Sequence, residues 1–443
     1  MNTTYLKATF TVAVLAAASA APAGLSAQMA FPPGHPIAIT NATIVPVVGE
    51  RIARGTVLIQ DGRIAAVGTS VSVPQDAQVI DANGLFVYPG MIDAGTDMGL
   101  IEIGQGANGD DDRRELGEFN PQDAALTAVN PFSEIIPTVR VNGVTSTVTS
   151  PAGGQISGQA ALIELSGWTP QDMAVLPKAG MVMTYPRAGG GGRFGGGGGG
   201  QQQTPDQQRQ QILQQARALR DYLASAQAYA EAKARAGASD AEPVNLAFEA
   251  MTPVMRGEMP AIFDVETADQ IRGVLALADS FHVKVILRGA IYGWQMADTL
   301  AARHIPVIVG PTTETPPPTD PYDMIYANPG VLARAGVSIA FRTNSASDSR
   351  NLPYNAALAT AYGLDPDEAL RALTINAARM FGVADKIGSI ETGKVADLIV
   401  TTGDPLDVRT TTRYLFIRGE LIPFNDKHTL EYERWRARPR PNR

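Results

Sequence analysis

The chain has 443 residues, 44% hydrophobic and 18% charged, enough for a substantial core in one large domain plus a smaller one. Its 36 basic against 44 acidic residues leave a formal charge of -8, which argues against a nucleic-acid partner, since that would need a basic face. The lack of any cysteine excludes disulfides, a thiolate nucleophile, Cys-ligated zinc and lipidation of an N-terminal cysteine.

Residues 1–27 read as an export signal. Lys7 is their only charge, an Ala/Val/Leu-rich run follows from Ala8 to Ala21, and small residues offer cleavage after Ala23 or after Ala27. The run is short for a span of about 20 residues, and no later segment is long and apolar enough to cross a bilayer. The expected location is therefore exported, periplasmic or secreted. From Ile37 to Val87 short alternating runs (Ala42 to Val48, Gly55 to Gln60, Arg63 to Val67, Gln78 to Asp81) are punctuated by turns such as Asp61-Gly62. Gly388 to Thr401 and Arg413 to Ile422 have the same texture, so residues 37–88 and 386–424 are expected to build one β domain from both ends of the chain.

Between them, residues 89–385 alternate apolar strand-like runs with helical patterns. The runs are Val144 to Ser150, Met181 to Tyr185, Pro260 to Val265, Val283 to Arg288, Ile305 to Val309 and Val337 to Arg342; Ala268 to Ser280 and Tyr292 to Arg303 have helical periodicity. So many βα units predict an α/β fold, a (β/α)8 TIM-type barrel. Residues 188–205, rich in Gly and Gln, predict a flexible loop, and the Gln/Ala/Arg-rich stretch after it, to about Gly237, a helix. The whole reads as a tolerated surface insertion rather than a lid. Asp110-Asp111-Asp112 with Glu115 and Glu118 reads as a solvated charge run. The tail, 425–443, ends in the stretch Arg434 to Arg443, which carries five arginines and reads as a solvated, disordered end.

Several motifs resemble the amidohydrolase superfamily, close to its imidazolonepropionase-like and dipeptidase-like members. They are Asn41-Ala42-Thr43-Ile44, Gln60-Asp61-Gly62-Arg63-Ile64, Val87-Tyr88-Pro89-Gly90-Met91-Ile92-Asp93, Asn142-Gly143-Val144-Thr145-Ser146 and Gly154-Gln155-Ile156-Ser157-Gly158-Gln159. The most specific are Ala372-Leu373-Thr374-Ile375-Asn376-Ala377-Ala378 and the run from Gly388 to Ile399, which contains Gly393-Lys394-Val395-Ala396-Asp397. The resemblance covers nearly all of the chain after residue 27. It implies the barrel with a small composite β-sandwich domain, and hydrolysis of carbon–nitrogen bonds in amides or dipeptide-like compounds. There one or two divalent metals activate water, and a carboxylate on the last strand shuttles the proton.

The ligands that the resemblance implies are a His-x-His pair on strand one, a histidine on each of two later strands, and a final Asp. In this chain the paired positions are Gly95 and Asp97, the later ones Asp264 and Arg288, and the final one Asn344 in Arg342-Thr343-Asn344. Glycine has no ligand atom and a permanent cation repels a metal. Of the four histidines, His35 and His428 lie outside the barrel, while His282 and His304 precede strands, at the face opposite the active site. The expected constellation is therefore Asp97, Asp264 and Arg288 as binding residues, with Arg288 in the vacated metal position and paired with one or both aspartates. Asn344, or Asp348 as a substitute, stands where the proton shuttle belongs. An oxygen-only metal site from Asp97, Asp264 and Asp93 is the fallback, taking zinc, manganese or magnesium if the protein is active.

Two functions follow. One is an impaired barrel that binds a small-molecule ligand, or joins a catalytic paralogue or further copies of itself as a partner subunit. The alternative is an active C–N hydrolase with a rearranged carboxylate metal site. A surface-binding role in the cell envelope ranks third.

Overall fold

The computed structural model describes residues 34–102, 111–187, 204–236, 244–316 and 321–438. The expected signal segment, 1–27, and nearly all of the Gly/Gln-rich loop, 188–205, lie outside the described residues.

Eight strands build the small domain's sheet: β1 (Ile37–Ile44), β2 (Ile52–Gln60), β3 (Arg63–Gly68), β4 (Gln78–Asp81) and β5 (Phe86–Pro89) from the N-terminal side, β14 (Leu398–Thr401), β15 (Thr412–Ile417) and β16 (Glu420–Leu421) from the C-terminal side. The two ends of the chain join where β14 pairs antiparallel with β5, Leu398 opposite Pro89 and Thr401 opposite Phe86. The hairpins β2–β3 and β15–β16 turn through Asp61-Gly62 and Arg418-Gly419, all four with positive φ (50°, 76°, 51° and 73°), the pattern of two-residue turns that match strand twist. These turns press together: a Cβ on Gly62 would lie 2.9 Å from the Arg418 carbonyl oxygen, so glycine is needed for close approach as well as for φ. The sheet encloses its own core of Ile39, Ile44, Val57, Ile64, Leu398 and Phe416.

The second eight-stranded sheet rolls into the barrel, in the order β6 (Met91–Thr96), β7 (Val144–Thr149), β8 (Ile156–Glu164), β9 (Ala174–Thr184), β10 (Ala261–Val265), β11 (Val285–Gly289), β12 (Val307–Val309), β13 (Ile339–Phe341). One feature differs from the sequence-based expectation. β8 is antiparallel to both β7 and β9, so a double hairpin replaces a βα unit. The edges β6 and β13 are drawn together by Asp93, whose Oδ1 accepts from the Thr343 amide at 3.1 Å and whose Oδ2 accepts from Thr343 Oγ1 at 2.5 Å. Beyond that seam, the Asn344 amide donates to the Gly95 carbonyl at 3.0 Å.

Alternation along the strands fills the barrel with one apolar plug: Ile92, Val148, Leu162, Val182, Ile262, Ile286, Ile308 and Ala340 are all buried. The outward residues meet the helices, as Phe263, Leu287 and Val309 do in the larger core that also takes Ile271, Val274 and Leu275 of helix Ala268–Phe281. That helix begins with a capping box of Thr267 and Gln270.

Two further readings change. Helix Pro205–Ala236 buries Leu219, Leu223, Ala226 and Ala230, spaced along one face, and Tyr222 stacks on Phe119 at 4.4 Å. It is packed against the barrel rather than merely tolerated on its surface. The tail forms a helix, Lys427–Arg436, capped by Asp426, whose Oδ1 accepts from the His428 and Thr429 amides. Among the described residues no helix is long and apolar enough to cross a membrane.

Beneath the barrel, Glu164 at the end of β8 and Asp397 before β14 are buried side by side with Arg418. Arg418 donates its backbone amide to Asp397 Oδ1 at 2.9 Å and holds Glu164 Oε2 at 3.1 Å from Nε. Asp397 Oδ2 is buried and finds no donor among the described residues unless Glu164 carries a proton. Burial and the Asp397 charge push the Glu164 carboxyl well above its ordinary value against the pull of Arg418, so Glu164 holds that proton. A carboxyl raised on folding adds stability in acid, which is lost as pH rises through the folded-state pKa. Glu164→Gln keeps the donor without the titration. Between the usual carboxylate range and neutrality, thermal denaturation should show Glu164→Gln gaining stability relative to the parent as pH rises; a constant difference would contradict the shared proton.

Candidate functional site

Two residues above the plug, the same inward alternation turns polar. Ile262 is followed by Asp264, Ile286 by Arg288, Ala340 by Arg342, Val148 by Ser150 and Val182 by Thr184; this layer floors a cavity of about 1050 Å³ at the C-terminal ends of the strands. Gln211 and Gln215 of helix Pro205–Ala236 line the same cavity, and Gln155 Nε2 donates to the Gln215 carbonyl at 3.1 Å.

Asp264 and Arg288 are directly paired positions on β10 and β11. Arg288 grips the carboxylate with two parallel bonds, Nε to Oδ1 and Nη2 to Oδ2, each 2.7 Å, and its Nη1 donates to Ser150 Oγ at 2.9 Å across the barrel. Arg342 approaches the same carboxylate from β13, Nη1 to Oδ1 at 3.3 Å, and donates Nε to the Gly310 carbonyl at 3.2 Å. Burial alone raises the Asp264 pKa, but Arg288 and then Arg342 outweigh it and hold the group below its ordinary value. Burial lowers Arg342 to about 10, with Asp264 resisting and Arg288 adding to the fall, so Arg342 stays charged at neutral pH.

The predicted residues are partly brought together. Arg288 pairs with Asp264 and not with Asp97. Asp97, buried, accepts instead from Arg113 Nη1 at 2.9 Å and from the Ala346 amide at 2.6 Å. Asp93 faces the barrel seam, accepting from Thr343 and, at 3.2 Å, from the Gly95 amide; burial pushes its carboxyl up to about 7 against those bonds. Asn344 and Asp348 are exposed on the cavity rim, and among the described residues neither side chain has a hydrogen-bond partner. Asn344 adopts φ 67°, tolerable for asparagine, where the chain turns off β13. His282 and His304 adopt φ 55° and 53° after helices Ala268–Phe281 and Ala297–Ala302, positions that end a helix rather than ligate.

This donor set does not fit a divalent cation. Gly95 offers no ligand, and a Cβ there would lie 3.3 Å from Arg342 Cδ and 3.4 Å from Arg288 Cδ, so the two arginine stems already cover the position. Both Asp264 oxygens are taken by guanidinium groups, and two permanent cations oppose a third. The fallback trio Asp93, Asp97 and Asp264 does not converge: the three bind Thr343, Arg113 and Arg288 respectively. Among the described residues no three His, Cys, Asp or Glu side chains form a group that could hold a metal.

Sequence reasoning missed Arg342, Ser150 and Arg113. For the first two the signal was available: each lies two residues beyond an apolar inward position on a predicted strand. Arg113 comes from a loop, and no pattern pointed to it.

Residues 323–424 match the model of the amidohydrolase family. Over 448 aligned positions the chain is 23% identical to Amidohydrolase tasK of Hapsidospora irregularis, covering 91% of this chain and 45% of that protein. A stretch of 79 residues is 43% identical to imidazolonepropionase of Porphyromonas gingivalis, covering 17% of this chain and 19% of the enzyme. The chain thus spans less than half the length of these curated relatives. A crystal structure of an amidohydrolase from Thermotoga maritima superimposes with a TM-score of 0.77 at 26% identity, covering 87% of this chain and 99% of that one.

If the Arg288–Asp264 pair is the buried interaction that holds the floor, Arg288→Ala should lower stability by about 3–5 kcal/mol, because it strands a buried carboxylate. Arg113→Ala should cost less, because Arg113 gives Asp97 one bond rather than two and the Ala346 amide remains on that carboxylate. Urea midpoints compare the two; equal costs would contradict the assignment.

Proposed function

The chain belongs to the amidohydrolase superfamily, and we propose that within it this protein is an exported, metal-free member that binds an amide-type small molecule rather than hydrolysing it. The supporting observation is the cavity floor: Gly95, Asp264, Arg288 and Arg342 stand where the family resemblance implies metal ligands or their neighbours, and both arginines close on Asp264. Water activation by a metal lowers the pKa of the bound water. Guanidinium groups accept no proton, and Asp264, held below its ordinary value by Arg288 and Arg342, is a weak base to stand in for the metal. Asp93, the one carboxyl raised to about 7 beside the floor, has its oxygens committed to Thr343 and Gly95, so it does not replace the shuttle.

The fold of the relatives makes C–N bond chemistry the natural source of the ligand. The cavity of about 1050 Å³ is large enough for a compound of that kind. A partner role, beside a catalytic paralogue or another copy of this chain, is the remaining part of the proposal and is compatible with a mouth that stays open to solvent.

Elemental mass spectrometry of protein purified without chelators should find substoichiometric divalent metal, before and after soaking in Zn²⁺ or Mn²⁺. Amide and dipeptide hydrolysis should be absent or indifferent to chelator. Stoichiometric metal together with chelator-sensitive hydrolysis would overturn the reading and restore the active hydrolase with a rearranged carboxylate site. For export, N-terminal sequencing of protein recovered outside the cytoplasm should begin at Gly24 or Gln28; an intact Met1 there would count against the signal.

A further inference from the structure

The cavity floor holds two buried guanidinium groups and one carboxylate, so it carries one positive charge more than it neutralises. The partners are unequally shared. Arg288 directs Nε, Nη1 and Nη2 to Asp264 and Ser150 at 2.7–2.9 Å. Arg342 reaches Asp264 only at 3.3 Å, gives Nε to a backbone carbonyl, and its Nη2 meets no acceptor among the described residues. Its side chain is only 13% exposed, and an arginine cannot relieve the cost of burial by losing its proton at neutral pH. Asp93 and Glu314 act on Arg342 only at longer range, neither within ion-pair distance of it. Ser150, whose oxygen accepts from Arg288, keeps its hydroxyl hydrogen free to donate to the cavity.

From this we infer that the floor is an oxyanion subsite, in which Arg342 Nη2, assisted by Arg288 and the Ser150 hydroxyl, receives the carboxylate of a small-molecule ligand. The inference rests on the ligand-binding reading above and names the end of the ligand that enters first. Planar, bidentate recognition suits a carboxylate. The walls select against higher charge: above the floor Arg113 is paired with Asp97 and Arg187 with Glu266, while Glu118 and Asp348 stand against Arg114. A polyanion would satisfy Arg342 and be repelled there, whereas a monocarboxylate with a neutral or cationic body fits both levels. The ligand class is thus an amide-bearing monocarboxylic acid, held carboxylate-down.

The test titrates the full chain with acetate and N-acetylglycine at constant ionic strength, with acetamide and N-acetylglycinamide as neutral matches and hydrogen phosphate as the more highly charged anion. Saturating carboxylate should raise the unfolding temperature by about 2 °C or more, as expected for a ligand of the native state alone. The neutral amides should leave it unchanged and phosphate should do less than acetate. Calorimetric Kd for N-acetylglycine should weaken at least roughly tenfold in Arg342→Gln. Arg342→Lys, which keeps the charge and loses the fork, should fall between. Equal shifts from acid and amide in the parent protein overturn the proposal without reference to any variant, as does unweakened binding in a folded Arg342→Gln. Failure of the metal-free reading is separable, because it appears as chelator-sensitive cleavage of N-acetylglycine and not as lost affinity.

Discussion

A charge inside a barrel needs a partner, and the cavity floor is organised around that requirement. Asp264 is held charged by Arg288 on the neighbouring strand and by Arg342 on the last one. Position 95 on β6 is closely covered by both arginine stems, since a Cβ there would meet them at 3.3–3.4 Å. Gly95, Asp264, Arg288 and Arg342 are therefore one unit rather than four separate departures from a metal-binding pattern. A larger side chain at position 95 would press on both stems, so its effect would be coupled to theirs.

The opposite end of the barrel solves the mirror-image problem by different means. There Glu164 and Asp397 share one arginine, and the excess is acid rather than base. A carboxyl can take up a proton, so that cluster neutralises itself. Arginine has no such recourse, and an excess of buried guanidinium must be met by another anion. The two clusters also differ in what they join. Arg418 sits in the β15–β16 turn and donates to the Ser166 carbonyl at 2.7 Å, fastening the composite sheet to the barrel. The floor cluster joins only barrel strands and opens to the cavity, where a ligand can supply what the protein lacks.

Much of this was legible in the sequence because it follows from short periods. Apolar runs predicted six of the eight barrel strands, five of them to within a few residues while β9 begins at Ala174 rather than Met181, and the C-terminal run around Gly393-Lys394 identified the β segment that returns to the N-terminal sheet. The glycine-bearing turns were readable for the same reason. What escaped depended on register and on long-range approach. Asp93 and Gly95 lie in a strand whose pairing with β7 shifts between Asp93 and Thr96, and that shift sends one aspartate to the seam and leaves Asp97 to a loop arginine. β8 has Gly and Ser near its start and only the one-turn helix Pro170–Met173 after it, so a reading tuned to βα repeats passed over it. Arg342 was quoted as part of a strand, and its inward position was readable there, but its partner Asp264 lies on another strand, three along in the sheet, which no local pattern encodes.

The fold therefore says less about the chemistry than the layer of side chains two residues above its plug. A metal ion in that layer acts by changing the acidity of what it binds, which is how such barrels make a nucleophile from water. Guanidinium groups supply comparable positive charge without that chemistry: they orient and neutralise an anion but leave a bound water as weak an acid as before. In the metal-free reading proposed above, exchange of one for the other would keep the cavity and its attraction for electron-rich groups while removing the step that breaks a bond. It also changes which end of a ligand is held. A metal polarises a scissile carbonyl, whereas an arginine fork holds a full carboxylate, so a compound bound by this floor would present its amide to the walls, away from the layer where hydrolysis would occur.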